Sequence, residues 1–207
     1  MSKPPIVKDA YALTSAEAVK ELYRDWAVSY DIGFSVSQGY QIPREVALAF
    51  FGAEGVGPVL DVGAGTGLVG EQLAALGDVT IDGVDLSAEM LAVAATKGHY
   101  RDLIEANILQ PLPTQQRYAG VVSAGTFTLG HVGPEGVVAL LDVAEQGALF
   151  VIAVNAEHFE GAGFATMLDD IDDRIADLSF KDIRIYDDRA SEDHIDDMAR
   201  LIIFRTV

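Results

Sequence analysis

Cysteine is absent from the 207-residue sequence, which removes disulfide frameworks, thiol nucleophiles and thiolate metal sites together. Basic residues are scarce: 14 Lys and Arg stand against 32 Asp and Glu, a formal net charge of -18. That charge repels the phosphate backbone that supplies most non-specific nucleic-acid affinity, so no nucleic-acid partner is expected. Long apolar runs are missing as well. Stretches such as Gly147 to Val154 and Leu201 to Phe204 fall short of the roughly 18 residues a membrane-spanning helix needs, so no membrane partner is expected either. Met1 to Asp9 carries two lysines without an apolar h-region or a small-residue cleavage site, and the sequence therefore predicts a cytoplasmic protein. There is no low-complexity tract, internal repeat or linker. With 50% hydrophobic residues, the composition is that of one packed domain over residues 1–207.

The acid that is present gathers between Asp169 and Asp197, in eleven aspartates. Their spacing matches no calcium loop with its central Gly and terminal Glu, so they read as a solvated face, and no metal is expected. The first fifty residues read as helical, with Thr14 or Ser15 as cap and Ala18, Leu22, Trp26 and Tyr30 at helix spacing. Asp31 to Gln41 has the Gly, Ser and Gln content of a loop, and a second helix starts after Pro43. Beyond Gly57-Pro58, short apolar runs alternate with helix-length amphipathic stretches. The runs are Val59 to Val62, Val79 to Val84, Asp102 to Ala106, Ala119 to Ser123 and Ala148 to Val154. That βαβ rhythm predicts five parallel strands covered on both faces. A helix over Gly163 to Asp177 and two alternating runs, Phe180 to Tyr186 and Ala199 to Thr206, then predict a closing antiparallel hairpin. The fold class is thus α/β, Rossmann-like and doubly wound, with a mostly parallel seven-stranded sheet and N-terminal helices.

The first strand runs into Leu60-Asp61-Val62-Gly63-Ala64-Gly65-Thr66-Gly67. Three alternating glycines let the backbone turn sharply and approach a ligand closely. Gly65 to Gly70 also satisfies the spacing of a dinucleotide fingerprint, and Asp85 lies 20 residues on. Asp61 separates the two readings, because a carboxylate beside the turn repels a pyrophosphate but suits a cationic amino-acid group. The second strand ends in Gly83-Val84-Asp85-Leu86-Ser87, where a carboxylate can accept two hydrogen bonds from a ribose diol. Ser87 is the better cap for the helix that follows, which frees Asp85 for that role. Met90 on this helix is a candidate to pack on a base, or is plain core.

Leu60 to Gly67 resembles motif I of the class I S-adenosylmethionine-dependent methyltransferases, an acid followed by Gly-x-Gly-x-Gly, and the resemblance covers roughly Val59 to Val154. It implies S-adenosylmethionine as cofactor, with Asp61 near its methionine end and Asp85 on its ribose. It also implies an adenine contact at Asn107. Family members often carry Asp there; the Asn carbonyl accepts the same bond, and an Asn closing a turn before Pro111 is the alternative. The cofactor-binding set that follows is Trp26, Asp61, Gly63, Ala64, Gly65, Gly67, Asp85, Leu86, Met90, Asn107, Ile108 and Ser123. Trp26, Tyr30, Gly39-Tyr40 and Pro43, with the fourth-strand segment through His131 to Pro134, are similar to the methyltransferase-like protein 27 (Williams-Beuren region) branch. That branch implies no particular acceptor. Within one domain, residues 1–56 are expected to form a helical lid, 57–155 the cofactor-binding core, and 156–207 the C-terminal helix and antiparallel strands.

Methyl transfer from a sulfonium is an in-line displacement, so the protein chiefly positions the acceptor and excludes water. A base is needed only where the acceptor loses a proton. His131 is the candidate, or else a histidine bonded to the Gly-rich loop; His99, His158 and His194 are expected at the surface. Tyr30 and Tyr40 are candidates on the reacting side, and Trp26 an aromatic neighbour for a sulfonium or an anchor for its helix. The acidic surface favours a small-molecule substrate. Two other readings remain open from the residues: an NAD-dependent short-chain-type oxidoreductase, whose Tyr-x-x-x-Lys pair is missing, and a noncatalytic S-adenosylmethionine-binding protein.

Overall fold

The computed structural model describes residues 38–190 and 194–207. The expected N-terminal helix, with Trp26 and Tyr30, lies outside them. Helix α1, Ile42–Gly52, begins with a proline in its first turn, where the missing N–H costs nothing. Its buried face of Ile42, Val46, Ala47 and Phe50 packs on the sheet at β4 and β5 and on α2.

Strand β1, Val59–Val62, leads into α2, Leu68–Leu76; β2, Ile81–Asp85, leads into α3, Ala88–Lys97; β3, Asp102–Glu105, and β4, Tyr118–Phe127, follow. Then come α4, Pro134–Leu140; β5, Ala144–Asn155; α5, Ala156–Gly161; α6, Phe164–Asp170; β6, Ile175–Arg184; and β7, Met198–Thr206. The seven strands form one sheet in the order β3-β2-β1-β4-β5-β7-β6. Strands β1 to β5 are parallel, and β7 runs antiparallel to both β5 and β6. The order reverses between β1 and β4, where open α/β sheets bind ligands at their C-terminal edge.

Apolar side chains alternate between two cores. Leu60, Val62, Val121, Phe150 and Ile152 face a cluster completed by Phe127 and Phe164, while Val59, Val122, Leu149 and Val151 face α1 and α2. Asp61 therefore shares the face of Val59. Register brings Val62 beside Val84 and Ser123, so the segments after β1, β2 and β4 leave the sheet side by side.

The C-terminal region differs from expectation at its helices, where α5 was not expected, and at β6. The helix predicted over Gly163 to Asp177 ends at Asp170, and β6 begins at Ile175, five residues before the predicted Phe180. Seven consecutive residues of this edge strand are exposed, from Ala176 to Asp182, so no buried/exposed alternation marks it. A bulge between Ala176 and Ser179, with Asp177 at a positive φ of 56°, obscures the period further.

Candidate functional site

The turn after β1 is built around a glycine whose backbone angle and close neighbour disfavour any side chain. Gly63 has φ +67°, and a Cβ there would lie 1.9 Å from Thr126 Oγ1. That hydroxyl donates to the Val62 carbonyl at 2.9 Å, and the Ser123 hydroxyl donates to the same oxygen at 2.7 Å. The Gly63 and Ala64 amides donate to the Val84 carbonyl at 2.8 and 3.0 Å. Next, the Gly65 amide donates to Asp85 Oδ2 and the Ser87 amide to Asp85 Oδ1, both at 2.8 Å. Asp85 thus pins the β1 turn to the β2 turn. Burial raises its pKa, and the amides of Ser87, Gly65 and Leu86 oppose the rise. Ser87 takes the capping role expected of it, accepting from the Met90 amide at 3.2 Å.

These turns border a cavity of about 310 Å³. Gly63, Ala64, Gly65 and Thr66 form one wall; Asp85, Leu86 and Met90 the next; Asn107 and Ile108 a third; and Tyr40, Gly125, Thr126 and His131 the far side. Among the described lining residues there is no lysine or arginine, and Asp85 is the one carboxylate. Asn107 Oδ1 accepts from the Leu109 amide at 3.0 Å. The residue therefore closes a turn and lines the cavity together, so the two expectations for it coexist.

The methyltransferase domain family matches residues 59–147, the stretch that supplies most of these walls. The chain is also similar to human methyltransferase-like protein 27, at 31% identity over 149 residues. That alignment takes in 69% of this chain and 60% of the human protein. Residues 59–147 are thus similar to a methyltransferase domain. The methyl donor of such domains is S-adenosylmethionine.

Two solved methyltransferase structures share the fold. One is the N-methyltransferase NodS from Bradyrhizobium japonicum in complex with S-adenosylhomocysteine, with TM-score 0.65 and 13% identity over 88% of this chain and 96% of that one. The other is magnesium protoporphyrin IX methyltransferase from Synechocystis with bound S-adenosylmethionine, with TM-score 0.62 and 18% identity over 91% and 97%.

Within this fold, the expected site residues divide. Tyr40, Gly63, Ala64, Gly65, Asp85, Leu86, Met90, Asn107, Ile108 and His131 line one cavity. Asp61, Gly67 and Ser123 do not. Gly67 caps α2, and Ser123 braces the turn from below. Asp61 is fully buried on the α2 face of the sheet, where its Oδ2 accepts from the Tyr100 hydroxyl at 2.7 Å and its Oδ1 has no partner. Burial pushes its pKa up to about 7, the Tyr100 hydrogen bond and the Gly70 amide lower it, and the Asp85 charge raises it. Trp26 and Tyr30 lie outside the described residues.

His131 sits in the loop after β4, where its backbone amide donates to the Thr128 carbonyl at 3.0 Å and its Nδ1 lies 3.0 Å from the Leu129 carbonyl. A carbonyl only accepts, so Nδ1 carries the proton and the neutral ring keeps its lone pair on Nε2. Burial lowers the His131 pKa, against the raising effect of the Leu129 carbonyl, and His158 lowers it further. The expectation that His158 is a surface residue is corrected: its Nε2 lies 2.9 Å from the Val132 carbonyl and its ring packs edge-on against Phe164. It braces the loop that carries His131. Tyr100 and Thr126 are the residues the sequence reading passed over. Both touch the motif only through space, across 39 and 64 residues of chain, and no local spacing signals that.

Proposed function

We propose that this protein transfers a methyl group from S-adenosylmethionine to a small neutral or cationic molecule, with the donor held by the β1 and β2 turns and the acceptor beside His131. The observation that carries this reading is the convergence of Gly63, Gly65, Asp85, Asn107 and His131 on one cavity at the switch point of the sheet. The bound donor supplies a methyl group on a sulfonium, already activated for in-line displacement.

The chain's own residues supply placement. Each Asp85 oxygen accepts one backbone amide and retains a lone pair for a ribose hydroxyl. Leu86, Met90 and Ile108 offer apolar walls for the adenine ring. Asn107 keeps its amide N–H groups and a second carbonyl lone pair for the ring's polar edge. His131, kept neutral by burial with Nε2 basic, accepts the proton that a hydroxyl or ammonium acceptor must lose. A cavity with no cationic lining residue suits acceptors that are not anionic.

Turnover is read as S-adenosylhomocysteine release in the presence of small amines, phenols and alcohols, with RNA and protein in parallel. The account expects turnover with a small molecule, and a loss of kcat of about 10²- to 10⁴-fold in His131→Gln with that acceptor. Turnover with RNA or protein alone contradicts the acceptor class. Donor binding with no turnover across the panel favours a noncatalytic S-adenosylmethionine-binding protein.

A further inference from the structure

Tyr100 lies between α3 and β3, away from the cavity lining, yet three glycines make room for it. A Cβ on Gly70 would lie 2.5 Å from its ring, and a Cβ on Gly67 or Gly83 would lie 3.0 Å from it. Gly67 and Gly70 belong to the turn and first coil of α2, and Gly83 to β2. The slot accounts for Gly70, whose position had suggested a dinucleotide fingerprint. At the end of the ring, the hydroxyl donates to Asp61 Oδ2 at 2.7 Å and accepts from the Gly70 amide at 3.2 Å. Asp61 itself is sealed from solvent, with its other oxygen unpartnered.

We propose that Tyr100 is a positioning residue of the donor site, its ring seating the glycine turn against β2 and its hydroxyl holding the buried Asp61 as a negative charge behind that turn. This rests on the donor assignment made above. The reasoning runs from geometry to charge. A carboxylate with no access to water stays ionised only where hydrogen bonds hold it so, and among the described residues Tyr100 provides the side-chain donor. The groups that face Asp61 are the Tyr100 hydroxyl, the Asp85 carboxylate at the end of β2 and the Gly70 amide of α2. Asp85 opposes ionisation, so the balance falls on the other two. With the Asp61 pKa at about 7, loss of one hydrogen bond decides whether the carboxylate is charged at neutral pH. A charge there favours a cationic ligand across the turn.

Tyr100→Phe keeps the ring in its slot and removes the hydroxyl alone. Two measurements are compared with wild type: the titration of the Asp61 carboxyl carbon by NMR in the donor-free protein, and calorimetric binding of S-adenosylmethionine at pH 7. The midpoint is expected to rise from about 7 by about one to two pH units, the worth of one hydrogen bond to a charged group. Donor affinity is expected to fall roughly three- to ten-fold, and Tyr100→Phe is expected to have no effect on affinity in an Asp61→Asn background. An unchanged midpoint with unchanged affinity, or a lowered melting temperature without movement of the midpoint, overturns the proposal while leaving the donor assignment standing. Wild-type protein that binds no S-adenosylmethionine overturns both.

Discussion

Asp61 places a testable cost on the folded state. Its pKa is pushed up to about 7 by burial, against an ordinary value of 3.8, so between these values the folded protein holds a proton that the unfolded chain has released. Stability from this group is therefore full at low pH and falls as pH rises through that window, by an amount on the order of 4 kcal/mol once Asp61 is ionised. Asp85, also raised by burial, acts in the same direction. Asp61→Asn removes the titration and keeps an oxygen for the Tyr100 hydroxyl. Its melting temperature should exceed that of wild type at pH 8 and approach it at pH 5. Equal melting temperatures at both values would show that Asp61 is not buried as described.

At the scale of elements, α2 provides the sharpest prediction. Gly→Ala inside a helix ordinarily stabilises by about 1 kcal/mol. At Gly70 the added carbon would lie 2.5 Å from the Tyr100 ring, so Gly70→Ala should instead destabilise by about 1–3 kcal/mol. Pairing it with Tyr100→Leu should recover part of that loss. Chemical denaturation of the two singles and the double variant measures it, and an additive double variant would place the ring elsewhere. Among the strands, the runs Val59 to Val62 and Ala199 to Thr206 were legible because apolar runs end at glycine or at polar residues, and the strands observed there are Val59–Val62 and Met198–Thr206. Strand β6 was not, because an exposed edge strand leaves no buried face in its pattern. Asp85 and His131 announced themselves by type at a strand end. Tyr100 and His158 did not, because their roles arise from contacts distant in sequence.

At the scale of the whole molecule, the order β3-β2-β1-β4-β5-β7-β6 puts the reversal between β1 and β4, and that fixes where the cavity lies. The excess of acid, at a net charge of -18, is carried outside that cavity apart from Asp85 among the described lining residues. No helix among the described residues is long and apolar enough to cross a membrane. The chain spans 60% of the length of the human relative it matches, so its acceptor is a matter for this chain's own chemistry. The central claim is that the turns after β1 and β2 form a donor site centred on Asp85. Calorimetric titration with S-adenosylmethionine, S-adenosylhomocysteine and NAD tests it directly. The account predicts binding of the first two, weakened about 10- to 100-fold in Asp85→Ala, and none of NAD; binding of NAD alone, or donor affinity indifferent to Asp85→Ala, would contradict it.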